Sequence, residues 1–191
     1  MPKNRLEAFS DGVLAIVLTV MVLEMKVPHG DARLAALGPV APVFLSYLLS
    51  FVYIGIYWNN HHHLLQATQR VNGRILWANL HLLFWLSLLP FVTGWMGENG
   101  FATWPVTLYN LDLLMAAIAY FVLTRSLVKH HGADSPLARA VGRDRKGAIS
   151  LVAYLAAVAL TPANRWIGLA LSVAVALMWL VPDRRIESQI G

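Results

Sequence analysis

Apolar residues run along this chain in long blocks separated by short polar punctuation. This is neither the alternation of a half-buried strand nor the narrow stripe of a soluble helix. Six blocks approach the roughly 20 apolar residues that a helix needs to cross a bilayer. They cover 6–27, 39–65, 75–96, 104–128, 148–161 and 166–181, the fifth being short and stopped by Pro162. Turn chemistry marks the connections: Pro28-His29-Gly30-Asp31, Asn72-Gly73 and Gly97-Glu98-Asn99-Gly100. The longest polar stretch is 129–146. No repeat relates the two halves, so the paired, Gly/Pro-broken segments of an inverted-repeat transporter are missing. The pattern predicts an all-α integral membrane protein with six transmembrane helices in a single domain over 1–191.

Composition agrees with that reading. Only 13% of the residues are charged and 58% are hydrophobic, whereas a soluble domain carries about 25% charged residues. The absence of cysteine excludes disulfides, thiolate metal sites and a Cys nucleophile. A net charge of +5 could suggest nucleic acid, but the basic residues lie between apolar blocks and form no stripe, so no nucleic-acid partner is expected. They mark orientation instead. Twelve of the fifteen Lys and Arg fall on one side: Lys3, Arg5, Arg70, Arg74, Arg125, Lys129, Arg139, Arg143, Arg145, Lys146, Arg184 and Arg185. Lys26, Arg33 and Arg165 fall on the other. The positive-inside rule then places both termini in the cytoplasm. Lys3 and Arg5 before an apolar run also resemble the start of a signal peptide, but 12–27 offers no small-x-small cleavage site, so a retained first helix is expected. Trp58, Trp77, Trp104 and Trp166 near block ends fit interfacial belts.

With this topology, depth can be compared between helices. The first rises through Arg5, Ser10 and Asp11, and the second descends to Trp58-Asn59-Asn60-His61-His62-His63 and Gln66 at the same level. The third brings Asn79 and His81 back through it. Polar groups in hydrocarbon must satisfy one another. Arg5, Ser10, Asp11, His62, His63 and His81 are therefore expected to form a layer that orients the first helix. The His triplet does not read as a metal site. Adjacent helical residues point about 100° apart, and no acidic residue accompanies them on that helix. No cofactor is expected.

The same helix carries a second pattern. At 100° per residue, Arg5, Phe9, Gly12, Ile16, Val20 and Leu23 share one narrow sector, with Thr19 on its border and Asp11 pointing away. Such a stripe is either ordinary packing and lipid-facing surface or the wall of a pore closed by branched apolar side chains. Periodicity does not choose between them.

Arg5-x-x-x-Phe9-Ser10-Asp11 opening the first helix resembles the signature of the transmembrane protein 175 family of potassium channels. Trp58-x-x-His61-His62 and Leu89-Pro90-Phe91 are similar to further features of that family. The resemblance implies a cation channel without a Thr-Val-Gly-Tyr-Gly filter, in which first helices surround a central pore. It implies that Ile16, five residues beyond Asp11, forms the constriction. Val20 and Leu23 would be further apolar layers, with Thr19 as the nearest hydroxyl. A single six-helix repeat implies a homotetramer in the cell inner (plasma) membrane, passing K+ and other monovalent cations, and not an enzyme. Two other classes stand beside it: a proton-coupled or proton-conducting transporter using the His/Asp layer, and a membrane enzyme, which would need a metal or nucleophile.

Overall fold

A computed structural model describes residues 2–30, 33–132, 134–142 and 144–180, with the side chain of Ala140 left aside. Asp31 of the first expected turn, Arg143, Arg184 and Arg185 of the basic set, and Val181 at the end of the sixth expected block lie outside these. The described elements are α1 (Asn4–Leu23), a 3-10 helix (Leu34–Val40) running directly into α2 (Ala41–Gln66), α3 (Gly73–Glu98), α4 (Thr103–His131), α5 (Pro136–Val141), α6 (Arg145–Leu160) and α7 (Arg165–Leu180). Four of these stretches are long and apolar enough to cross a membrane: α1, the 3-10 helix with α2, α3 and α4. Helices α6 and α7 have 16 residues each, about 24 Å at 1.5 Å per residue against a hydrocarbon core of about 30 Å.

The starts of three helices are written locally. Asn72 caps α3 by accepting from the Ile75 N–H at 3.0 Å, and Asp144 caps α6 through the Gly147 N–H at 2.8 Å. Within the polar stretch, where the apolar pattern expects no element, Ser135 caps α5 by accepting from the Ala138 N–H, with Pro136 at its first turn. Leu137 is buried and anchors that short helix. Helix α4 runs on to His131 instead of ending near 128, placing Lys129, His130 and His131 in its last turn, where the Lys129 charge suits the helix dipole.

Contacts between helix ends set the directions. Lys3 Nζ donates to the Leu65 and Gln66 carbonyls at 2.6 and 3.0 Å, so the start of α1 meets the end of α2. Lys26 pairs with Glu98 at 2.8 Å, joining the far ends of α1 and α3. Asn72 and His130 meet at 3.1 Å, which puts the start of α3 beside the end of α4. Trp179 Nε1–H donates to Ser150 at 2.9 Å, so α6 and α7 form an antiparallel pair.

Helix α4 lies at the centre. Val106, Tyr109, Leu113, Ala116, Ala119, Leu123 and Leu127 recur at three- and four-residue intervals and are fully buried. Hydroxyls and amides tie its neighbours to it: Ser50 donates to Tyr109 at 3.1 Å and bonds Thr93 at 2.6 Å. Ser172 Oγ–H donates to Asn110 Oδ1 at 2.7 Å, and Tyr53 donates to the Ser172 carbonyl at 2.6 Å.

At the far end, Gly97 lets α3 touch α2. A Cβ there would overlap Ser46 Oγ and the Val43 backbone. Because a backbone atom is involved, the clash cannot be relieved by a rotamer change. Gly97→Ala is therefore expected to cost about 1–3 kcal/mol, the usual penalty of overpacking, read as a lowered unfolding temperature in detergent. Gly94→Ala, where a Cβ meets open space, is the silent control.

Candidate functional site

Helix α1 is divided along its length. One face, Leu6, Ser10, Leu14, Val17 and Met21, is buried against the bundle, with Leu14 2% exposed and Met21 3%. The opposite face is bare: Ile16 is 63% exposed and Leu23 80%. Phe9 and Val20 are also exposed, as are Arg5, Gly12 and Thr19. Thr19 Oγ1–H donates to the Ile16 carbonyl at 2.9 Å and approaches the Ala15 carbonyl at 3.2 Å. Asp11 and Ile16 stand about 7.5 Å apart along the axis and about 140° apart around it. The polar head and the apolar stripe therefore address different neighbours.

The buried face is held by a hydrogen-bond relay across three helices. Ser10 Oγ–H donates to the Leu6 carbonyl at 2.8 Å, so its oxygen is left to accept from Asn79 Nδ2 at 2.9 Å. That fixes the Asn79 amide, whose Oδ1 faces His61 Nε2 at 2.7 Å. A carbonyl oxygen only accepts, so His61 must carry its proton on Nε2. Ser10 and Asn79 are fully buried and His61 is 2% exposed. A second, more open set runs beside it. Trp58 Nε1–H donates to Asp11 Oδ1 at 3.1 Å, His62 Nδ1 lies 3.6 Å from Glu7 Oε1, and Trp58 stacks on His62.

The polar residues of α1, α2 and α3 thus meet at one level, but through partly different side chains than expected. Ser10, Asp11 and His62 take part. His81 instead accepts from Trp85 of its own helix at 3.0 Å. His63 Nδ1 is buried with no hydrogen-bond partner among the described residues. Arg5 is exposed and makes no hydrogen bond or ion pair among them. Their places in the relay are taken by His61 and Asn79, and Glu7, Lys3 and Trp58 join around it. The physical reason is angular: one position on a helix is a 100° turn, so His61 and His62 face different helices. For the same reason Asn79 and His81, two residues apart, point in nearly opposite directions. Trp58, expected as an interfacial belt residue, has a specific acceptor in Asp11. Its spacing of three from His61 and four from His62 was the available signal.

Beside the bare stripe, α1 and α3 frame an open groove of about 590 Å³. Val13, Ile16, Val17, Val20 and Glu24 line one wall, and Ser87, Pro90, Phe91, Gly94, Trp95 and Glu98 the other. Glu98 in its wall pairs with Lys26, and hydrogen bonding and charge from Glu98 push the Lys26 ammonium up from its ordinary pKa.

Comparison with known proteins places this arrangement. The family model described as "Endosomal/lysosomal potassium channel TMEM175" matches residues 5–90. The chain is 51% identical over 190 residues to a protein of Chryseobacterium sp. (strain P1-3) named a potassium channel, covering 100% of this chain and 98% of that one. It is 31% identical over 132 residues to the "Endosomal/lysosomal proton channel TMEM175" of Mus musculus, covering 63% of this chain and 26% of that one. Its fold is similar to the crystal structure of a lysosomal potassium-selective channel TMEM175 homolog from Chamaesiphon minutus. That match has TM-score 0.81 and 29% identity, and covers 94% of this chain and 96% of that one.

Proposed function

The chain belongs to the TMEM175 family, and we propose that it is a potassium channel whose pore is lined by α1 from four identical subunits. The observation that carries the reading is the division of α1. Its buried face is pinned by the Ser10–Asn79–His61 relay, while Ile16, Val20 and Leu23 stand bare beside it. An exposed apolar stripe on a helix held rigidly by its other face is what a pore wall requires. Ile16 is the constriction, and Val20 and Leu23 form apolar layers toward the far end, with Thr19 as the nearest hydroxyl. An isoleucine ring supplies no oxygen to replace a hydration shell. It controls passage by width and wetting and not by coordination.

In this reading six helices span the membrane, α1–α4 with α6 and α7, and the basic end with both termini faces the cytoplasm. A plasma-membrane protein that passes K+ and other monovalent cations down their gradients needs neither cofactor nor catalytic group.

The test is ion flux from purified protein in liposomes. Under a potassium gradient with a charge-compensating ionophore, flux is expected to exceed the empty-vesicle rate and to be larger for K+ than for Na+. Absence of flux for both ions refutes the channel reading. The proton-channel name of the mammalian relative favours one further measurement. Flux driven by a pH gradient alone, with no K+ current, would assign conduction to protons instead.

A further inference from the structure

At the end of the bundle where α4 stops, two adjacent histidines hold the α2–α3 loop. His131 Nδ1–H donates to the Leu127 carbonyl at 2.9 Å. Its Nε2 faces the backbone N–H groups of Gln69 at 3.3 Å and Arg70 at 3.5 Å. Both loop groups are donors, so Nε2 must be the unprotonated nitrogen. His130 is constrained in the same way. Asn72 Oδ1 is engaged by the Ile75 N–H as the cap of α3, which leaves Nδ2 to face His130 Nδ1 at 3.1 Å. An amide nitrogen only donates, so His130 Nδ1 must accept. Three loop donors therefore depend on two neutral imidazoles, whose rings lie 5.2 Å apart. Protonating either ring replaces an acceptor with a donor facing a donor. Imidazole is the side chain that makes this change between pH 5 and 8.

The loop leads to the pore helix. It follows directly on the end of α2, where the Leu65 and Gln66 carbonyls accept Lys3 at the foot of α1. We propose that His130 and His131 form a pH-sensitive clasp that holds the α2–α3 loop, and through it the foot of α1, and releases both on acidification at that end of the bundle. The direction of the effect on current rests on the pore reading of α1, and the identity of that compartment as cytoplasm rests on the proposed orientation. The clasp itself rests on neither. The charged residues on the segments that meet here are Arg70 on the loop, Arg74 at the start of α3, Lys129 on α4, Asp134 on the α4–α5 connection and Arg139 on α5, with Lys3 bound at the end of α2. Asp134 lines a crevice of about 580 Å³ together with His131, Gln66 and Gln69.

The chain has no cysteine, so a nitroxide on Arg70→Cys reports the loop alone. In the purified channel, label mobility is expected to rise as pH falls from 8 to 5.5. The mobile fraction should grow about fivefold for each hydrogen bond lost, the equilibrium equivalent of one such bond. The double substitution His130→Asn with His131→Gln keeps an uncharged acceptor near each position, and the pH response should disappear while the loop stays ordered. His131→Ala should leave the loop mobile at every pH. An unresponsive label in the unsubstituted histidine background, or the same pH response in the Asn/Gln variant, overturns the clasp. Liposome flux on the same samples separates the two ideas. A pH-responsive label with no ion flux at any pH refutes the pore reading and leaves the clasp standing. Flux that ignores pH while the label responds overturns the coupling to α1.

Discussion

Ile16→Asn is expected to raise basal potassium flux in liposomes on the order of tenfold, equivalent to about 1.4 kcal/mol removed from the barrier. The argument is one of wetting. In the proposed tetrameric pore, four isoleucines facing one another would offer water no hydrogen bonds, so a narrow ring of them would shed water and exclude the ion that travels with it. Four asparagines of similar length supply donors and acceptors at the same radius. Ile16→Ala widens the ring without wetting it chemically and should give a smaller rise. Neither change threatens the fold, because Ile16 is 63% exposed within its own chain and its removal opens no cavity there. Leu14 is the control on the other face. It is buried and does not line the groove, so Leu14→Asn should lower the unfolding temperature without a gain in flux. Unchanged flux and unchanged ion preference in both Ile16 variants would remove Ile16 from the pore.

The second large effect is expected in the relay. Asn79→Ala takes the donor from Ser10 and the acceptor from His61 in one step. Leaving a buried polar group unsatisfied costs about 1–3 kcal/mol, and here the His61 Nε2–H is stranded while Ser10 keeps its own bond to the Leu6 carbonyl. Hydrogen bonds between membrane helices average nearer 0.6 kcal/mol where alternative partners are at hand. Ser10 and His61 are sealed from water, so the higher range applies. Asp11→Ala gives a useful contrast. Asp11 is only half-buried and loses one bond to the Trp58 indole, about 0.5–1.5 kcal/mol. Thermal unfolding and tetramer yield in detergent should therefore rank Asn79→Ala as the more damaging change. The reverse order would mean that the Asp11–Trp58 contact, not the buried amide, fixes α1.

Much of the architecture is legible in the apolar blocks, because a bilayer imposes one length and one composition on every helix that enters it. The observed α1 to α4 start and stop within a few residues of those blocks. Helix α5 was not legible in the same way. It is a single turn and a half whose only marks are Ser135 and Pro136 at its start and Leu137 beneath it, too short for periodicity to register. The level of the polar layer was readable from depth alone. Its membership was not, since choosing His61 over His62, or Asn79 over His81, depends on the rotation of each helix about its own axis. The apolar pattern of α2 and α3 is nearly uniform around the helix and gives no hint of that rotation.

The central helix makes the same point. Ser50, Thr93, Tyr109, Asn110 and Ser172 are scattered over 123 residues of sequence and look like isolated polar residues in apolar runs. They become two hydrogen-bonded sets, Ser50–Thr93–Tyr109 and Asn110–Ser172, only when α2, α3 and α7 close around α4.

For α1 the division is clear. Its sequence alone set the helix, the stripe of Ile16, Val20 and Leu23, and the separation of that stripe from Asp11, since all three follow from 3.6 residues per turn. Which face is bare was decided by packing. An apolar stripe in a membrane protein has no solvent to avoid, so hydrophobicity cannot tell a buried face from an open one. The Ser10–Asn79–His61 relay, reaching in from α2 and α3, together with the Lys3 and Asp11 contacts to α2, turns one face inward and leaves Ile16 uncovered.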